Sequence, residues 1–297
     1  MKLTVRIKGG LGNQLFCYAA ARRLALKNNA ELVIDNITGF VRDQTYQRQY
    51  ALDHFSIPAR LATSAERLEP FERYRRGFVK WRSRRLPFEQ RAYLEQELKD
   101  FDPRLLDLQI NNDLYLDGLW QSEAYFEDIA EVLQRDLLIK PLTDPANLNM
   151  AARIGEYPNA VALHVRWFDA PIAIVSNHNI SGDYYQRAVA HLKSIVDQPH
   201  YFVFSDYPIA AVERLALPDD CYTIVDHNNG DEYAYADLWL MTQCRHFITA
   251  NSTFSWWGAW LGASKGGGVV ITPDPATLEP DNYWCTKNLL PKGWSKF

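Results

Sequence analysis

Residues 2–25 read KLTVRIKGGLGNQLFCYAAARRLA, and the parsing of this stretch decides the fold. Leu3, Val5 and Ile7 alternate with Lys2, Thr4, Arg6 and Lys8, the period of a half-buried strand. Beyond the turn, Leu11, Leu15, Ala19 and Leu24 recur at roughly helical spacing in an Ala- and Leu-rich run. Gly9, Gly10 and Gly12 fill three of the four positions between them. Glycine lets the backbone come close to a neighbour, and a helix N-terminus offers free N–H groups to an anion. The same glycines also suit a plain strand-to-helix turn, so this stretch alone leaves both readings open. The apolar strand ELVID (Glu31–Asp35) then completes a βαβ unit.

The alternation is clearer in the second half. AVALHVRW (Ala160–Trp167) reads as a strand and GDYYQRAVAHLKSIV (Gly182–Val196) as a helix. YFVFSD (Tyr201–Asp206) is the next strand, followed by PIAAVERLAL, with Pro208 at the favoured first helical position. YTIVD, a helix over Asp231–Cys244, HFITAN, a helix from Ser255 and VVITP complete the series. Strands alternating with helices at this spacing predict parallel sheets with helices on both faces. Between Thr38 and Pro145 the pattern is less regular. A strand there ends at Asp117 or Gly118, and the helix-like run FEDIAEVLQRDLLI stops at Lys140-Pro141. The expectation is an α/β chain of two Rossmann-like domains, residues 1–145 and 146–297.

Composition narrows the function. The 32 Lys and Arg against 36 Asp and Glu leave a net charge of −4, which argues against bulk nucleic-acid binding. The four cysteines are scattered and form no CxxC pair, as expected of thiols in a reducing compartment. The chain opens on a strand pattern rather than a signal segment and has no long apolar run, so a cytoplasmic location is expected. No His, Asp or Cys cluster has metal-ligand spacing, and neither metal nor cofactor is expected. RYRRGFVKWRSRR (Arg73–Arg85) holds no acid. It reads as a solvated helix face, the alternative being peripheral attraction to an anionic membrane, at about 1 kcal/mol per basic residue.

In open α/β sheets, ligands sit outside the carboxyl ends of the strands. Three strands of the second half end in polar turns: His164–Asp169, Ser205-Asp206-Tyr207, and Asn251-Ser252-Thr253-Phe254-Ser255 leading into a helix. Arg166 offers planar bidentate donors to a phosphate. Ser252, Thr253 and Ser255 set hydroxyls beside free helix N–H groups. An Asp accepts N–H bonds from a guanine edge, and His164 stacks or hydrogen-bonds nearby. Each also has a plainer reading: Ser252 or Thr253 caps a helix, Asp206 closes a turn, and Arg166 pairs with Asp169. Their conjunction on one edge predicts a nucleotide-diphosphate site.

These residues resemble a known family, the bacterial type of α-1,2-fucosyltransferases, glycosyltransferase family eleven. GGLGNQLFCYAAARRLA (Gly9–Ala25), LHVRWFD (Leu163–Asp169) and DLWLMTQCRHFITANSTFSWWGAWLG (Asp237–Gly262) carry the resemblance, in order along most of the chain. It implies two Rossmann-like domains in the GT-B arrangement, GDP-fucose as donor, a galactose-containing glycan as acceptor, inversion at the anomeric carbon and no metal. It implies an acceptor-side N-terminal domain, a donor-binding C-terminal domain, and a glycine turn (Gly10, Gly12) facing the cleft, with Asn13 near the donor sugar and phosphates. Arg166 would hold the β-phosphate, His164 would lie at the nucleoside, and Ser205, Asp206, Ser252, Thr253, Phe254 and Ser255 would line the donor. Two positions depart from the family pattern. Trp167 stands where HxRRGDY has its second Arg, and Tyr207 where FSDD has its second Asp. The candidates for a base that takes the acceptor proton are Asp169, His178 and Asp183. Rival readings are a glycan- or nucleotide-sugar-binding protein without catalysis and a fucosyltransferase with another acceptor linkage.

Overall fold

In the computed structural model, which describes residues 1–44, 46–167, 178–218, 220–264, 266–278, 282, 284–286 and 288–297, the opening stretch becomes strand β1 (Lys2–Arg6) and helix α1 (Leu11–Lys27). They belong to a first compact unit, Met1–Lys140 with Thr286–Leu290. Its other elements are β2 (Glu31–Asp35), β3 (Arg60–Leu61), α2 (Glu72–Ser83), β4 (Tyr93–Glu95), α3 (Arg104–Asp107), β5 (Leu114–Asp117) and α4 (Ala130–Asp136). The sheet runs β3-β2-β1-β5-β4, every pair parallel, with β1 at its centre.

Central placement corrects the half-buried reading of β1. Thr4 is buried along with Leu3 and Val5, and Arg6 gives its charge to Asp117 at 3.1 Å instead of to solvent. A second correction concerns FEDIAEVLQRDLLI. It forms one 3₁₀ turn, Glu127–Ile129, before the short α4, and a further 3₁₀ turn, Glu123–Tyr125, precedes it. The last residues leave the helix because their backbone finds another partner: Ser56 N–H donates to the Leu138 carbonyl at 3.0 Å and Lys140 N–H to the His54 carbonyl at 2.9 Å. A non-local bridge outcompetes local helix propensity.

The second unit comprises Pro141–Cys285 and Pro291–Phe297. Its elements are α5 (Pro145–Gly155), β6 (Ala160–Val165), α6 (Gly182–Ile195), β7 (His200–Ser205), α7 (Pro208–Leu215), β8 (Tyr222–Val225), α8 (Ala234–Met241), β9 (His246–Ile248), α9 (Thr253–Ala263), β10 (Val270–Thr272) and β11 (Ser295–Lys296). The sheet order β11-β10-β9-β6-β7-β8, all parallel, is that of a doubly wound Rossmann-like fold.

Residue period assigns the two faces of β6. Val161, Leu163 and Val165 join Tyr184, Leu192 and Leu215 in one core. Ala160 and Ala162 face the other core, with Phe202, Leu240 and Ala259. With both faces covered, the strand is a continuous buried run, as parallel strands are. Helix starts follow local chemistry. Asp144 caps α5, Ser181 caps α6, Ser252 caps α9, and Pro208 opens α7.

Candidate functional site

In the second unit β6 lies between β7 and β9, and the strand order reverses there. All three strands run parallel, so the segments that follow them emerge at one edge, at the switch point where such sheets bind ligands. The register sets Val165 opposite Ser205, so Arg166 and Asp206 are the first residues beyond their strands and adjacent. The Arg166 guanidinium donates from Nη1 to Asp206 Oδ2, with both side chains about one-quarter exposed. Burial pushes the Asp206 carboxyl above its ordinary range, against the pull of the Arg166 charge and hydrogen bond. Burial thus disfavours the charged form of the carboxyl that holds this guanidinium.

His164, the penultimate residue of β6, is buried, and its ring lies 5.5 Å from that of Phe254 at the start of α9. Burial drives its imidazole down to about 3, with the Arg166 charge adding to the effect. The ring is neutral at physiological pH, and its buried Nδ1 has no hydrogen-bond partner among the described residues.

The hydroxyl turn is more self-contained than the sequence suggests. Ser252 Oγ accepts the Phe254 N–H at 3.3 Å, which is the capping role. Ser255 is wholly buried; it donates to the Ser252 carbonyl at 3.2 Å and accepts the Ala250 N–H at 3.3 Å. The Ser255 hydroxyl thus points inward to hold the turn, not outward to line the edge. Thr253 and Phe254 are the partly exposed members. Ser205 Oγ accepts the Tyr207 N–H at 3.2 Å, closing its own turn, while the Tyr207 side chain is exposed.

Of the three base candidates, Asp169 lies outside the described residues. Asp183 is exposed near the start of α6 and pairs with Arg187 at 2.8 Å, an ordinary i,i+4 contact. The His178 carbonyl accepts from Asn251 Nδ2 at 2.8 Å, which ties this residue to the hydroxyl turn. Trp167 is buried, and the Arg214 guanidinium from α7 sits 4.0 Å over its ring. A cation therefore remains beside the residue that replaces the family's second Arg, supplied from another element.

Sequence reasoning missed Asp237 on α8. Burial raises its carboxyl to about 7, against a 2.8 Å hydrogen bond from Asn228 Nδ2. Asn228 also donates to Asn147, which His227 contacts at 3.0 Å. The available signal was a single acid in the apolar run DLWLM. Among the described residues no three His, Cys, Asp or Glu side chains gather as a metal site.

The first unit has polar groups of its own at the carboxyl ends of its strands. Gly9 takes φ +77°, and a Cβ on Gly10 would lie 2.5 Å from Arg48 Nη1. The glycine turn is thus required by a left-handed residue at Gly9, while at Gly10 the Arg48 guanidinium rests on the backbone at the start of α1. Arg48 was not legible as a partner because it approaches from a loop far along the chain. Gly12 is buried within α1, and Asn13 Oδ1 accepts from Gln121 at 2.8 Å. Nearby Asp117, at the end of β5, accepts from Lys8 at 2.8 Å and Tyr93 at 2.6 Å. Burial works to raise this carboxyl, but Lys8 and Arg6 hold it down at about 2.

Comparison with known proteins bears on these arrangements. An α-1,2-colitosyltransferase of Escherichia coli is 26% identical over 287 residues, covering 92% of this chain and 91% of that protein. The O-antigen biosynthesis glycosyltransferase WbnK, also of Escherichia coli, is 30% identical over 288 residues, covering 90% of this chain and 92% of its own. Among solved structures, the α-1,6-fucosyltransferase NodZ of Bradyrhizobium, soaked with GDP-fucose, has the same fold. That match has a TM-score of 0.50 at 16% identity and covers 87% of this chain and 91% of NodZ. The profile described as glycosyl transferase family 11 matches residues 2–294, and the chain belongs to that family.

Proposed function

We propose that this glycosyltransferase moves L-fucose from GDP-β-L-fucose to the 2-hydroxyl of a galactose-containing glycan, forming an α-1,2 linkage in O-antigen synthesis. Family membership and the names of the two Escherichia coli relatives support the setting. The observation that carries the donor assignment is the Arg166–Asp206 pair at the switch point of the second unit, beside a neutral, buried His164.

In this reading the acceptor oxygen attacks the anomeric carbon as the bond from that carbon to the β-phosphate oxygen breaks. The electron pair leaves with GDP, and the acceptor proton passes to a base, for which Asp169 and His178 are the remaining candidates. Negative charge grows on the departing diphosphate. A guanidinium that trades a reluctant carboxylate for that phosphate binds the transition state more tightly than the ground state, which is what lowers a barrier. The N–H groups at the start of α9 add a fixed positive end to the same edge.

A second reading rests on the colitosyltransferase relative: the sugar moved is colitose, from an activated colitose donor. Transfer to a galactoside acceptor with each of the two donors separates the readings. The fucose reading expects higher kcat/KM with GDP-fucose and a product whose NMR spectrum shows substitution at the 2-oxygen. Preference for the colitose donor moves the assignment to the second reading. Tight donor binding without transfer to any glycan would leave a binding protein.

A further inference from the structure

Helix α2 presents an exposed aromatic face. Four large aromatics stand out in solvent: Phe71 at 71%, Tyr74 at 74%, Phe78 at 61% and Trp81 at 51% exposure. Tyr74, Phe78 and Trp81 recur at spacings of four and three, so they form one stripe along the helix, with Phe71 at its N-cap. At 3.6 residues per turn, Arg75 and Arg82 fall in the same third, roughly, of the helix circumference, and Arg85 follows two residues past the helix end. The Phe78 and Trp81 rings stack at 6.0 Å, and the Arg85 guanidinium lies 3.6 Å over the Trp81 ring.

The opposite face is already occupied. The Ser83 hydroxyl accepts the Tyr93 N–H at 3.1 Å, Arg76 reaches over the Tyr115 ring, and Lys80 and Arg84 both pair with Glu95. The helix is thus anchored on β4 and β5 of its own sheet and turns its aromatics away from it. Positions 72–85 hold seven basic residues and one acid, in a chain whose net charge is −4.

We infer that α2 lies flat on a bilayer surface rich in anionic phospholipid, its aromatic stripe at the headgroup–acyl boundary and Arg75, Arg82 and Arg85 on lipid phosphates. Two features select this partner. Aromatic rings interleaved with arginines match an interface that is apolar on one side and anionic on the other. Seven basic residues stand beside one acid over positions 72–85 of a chain with net charge −4, which gives charge complementarity to such a surface. A purely solvated face would have no reason to expose four rings.

Flotation of the full chain with phosphatidylcholine vesicles, and with the same vesicles doped with phosphatidylglycerol, tests the inference. Binding is expected to the anionic vesicles, weakening as salt rises. Each Arg75, Arg82 or Arg85 changed to Gln is expected to weaken it by about fivefold. F78S/W81S is expected to weaken it by roughly tenfold or more, with melting temperature unchanged. R75Q/R82Q/R85Q provides the same test without touching the aromatics, should F78S/W81S fold poorly. Undiminished flotation of both variants, equal partition onto both vesicle types, or no flotation at all overturns the inference. So does self-association, or binding to nucleic acid in place of vesicles, that is lost in F78S/W81S.

Discussion

Arg166 and Asp206 meet across the ends of two paired strands, forty positions apart in sequence, because the register of β6 against β7 places Val165 opposite Ser205. The plainer expectation, a pair between Arg166 and its neighbour Asp169, falls outside the described residues. The contact found is set by the sheet, and it aims the guanidinium along the edge where the strand order reverses.

Arg166→Ala is expected to lower fucosyl transfer by roughly 10²–10³ in kcat, the range for removing a donor to developing negative charge. Asp206→Asn keeps the shape and cancels the charge; it is expected to change kcat by about tenfold or less. Steady-state kinetics with GDP-fucose check both. Near-normal turnover by Arg166→Ala would remove this residue from the chemistry.

Two groups shifted by burial set opposite pH slopes in stability. Burial raises the Asp237 carboxyl from 3.8 to about 7, so its contribution is present below 3.8 and lost as pH rises through 7. Burial lowers the His164 imidazole from 6.5 to about 3, so its contribution is present above 6.5 and lost as pH falls through 3. Each slope approaches ~1.4 kcal/mol per pH unit where only one state holds the proton. Between 3.8 and 6.5 the two offset each other. Asp237→Asn is expected to leave stability rising with pH across that window, and His164→Phe to leave it falling. Urea unfolding at a series of pH values reads both.

Three glycines are expected to respond differently to alanine. A Cβ on Gly39 would collide with the Ile7 carbonyl oxygen, a backbone atom, so Gly39→Ala is expected to cost about 2–4 kcal/mol. Nothing lies within 4 Å of a Cβ on Gly77, in the middle of α2, so Gly77→Ala is expected to stabilise by about 0.5–1 kcal/mol. On Gly10 the obstacle is the flexible end of Arg48. Gly10→Ala is therefore expected to cost under about 1 kcal/mol while displacing the guanidinium. Denaturant midpoints rank the three.

Ser252 and Ser255 are expected to matter first for the turn. Ser252→Ala removes the α9 cap and is expected to cost about 1 kcal/mol. Ser255→Ala leaves the buried Ala250 N–H without its acceptor, at about 1–3 kcal/mol. If either instead changed donor KM with stability unaltered, the hydroxyl would be a ligand contact rather than a brace. Thermal melts beside donor titrations distinguish the two.

What the sequence determined by itself is everything governed by local period and local capping. β2, the Gly turn, β6 to β8, and the starts of α7 and α9 are all legible from hydrophobic spacing, a Pro or a Ser. The strand read through Trp167 stops instead at Val165, which leaves Arg166 just beyond its end. β3 and β11 are two residues each and β4 three, too short for any period; they exist because a neighbouring strand offers backbone partners. Only the tertiary structure decided that Arg166 answers to Asp206, that Ser255 faces inward, that Arg48 rests on Gly10, and that burial raises the Asp237 carboxyl and lowers the His164 imidazole. Each of these depends on which distant segment lies alongside and how far water is excluded, and neither quantity is encoded within a few residues of the side chain it controls.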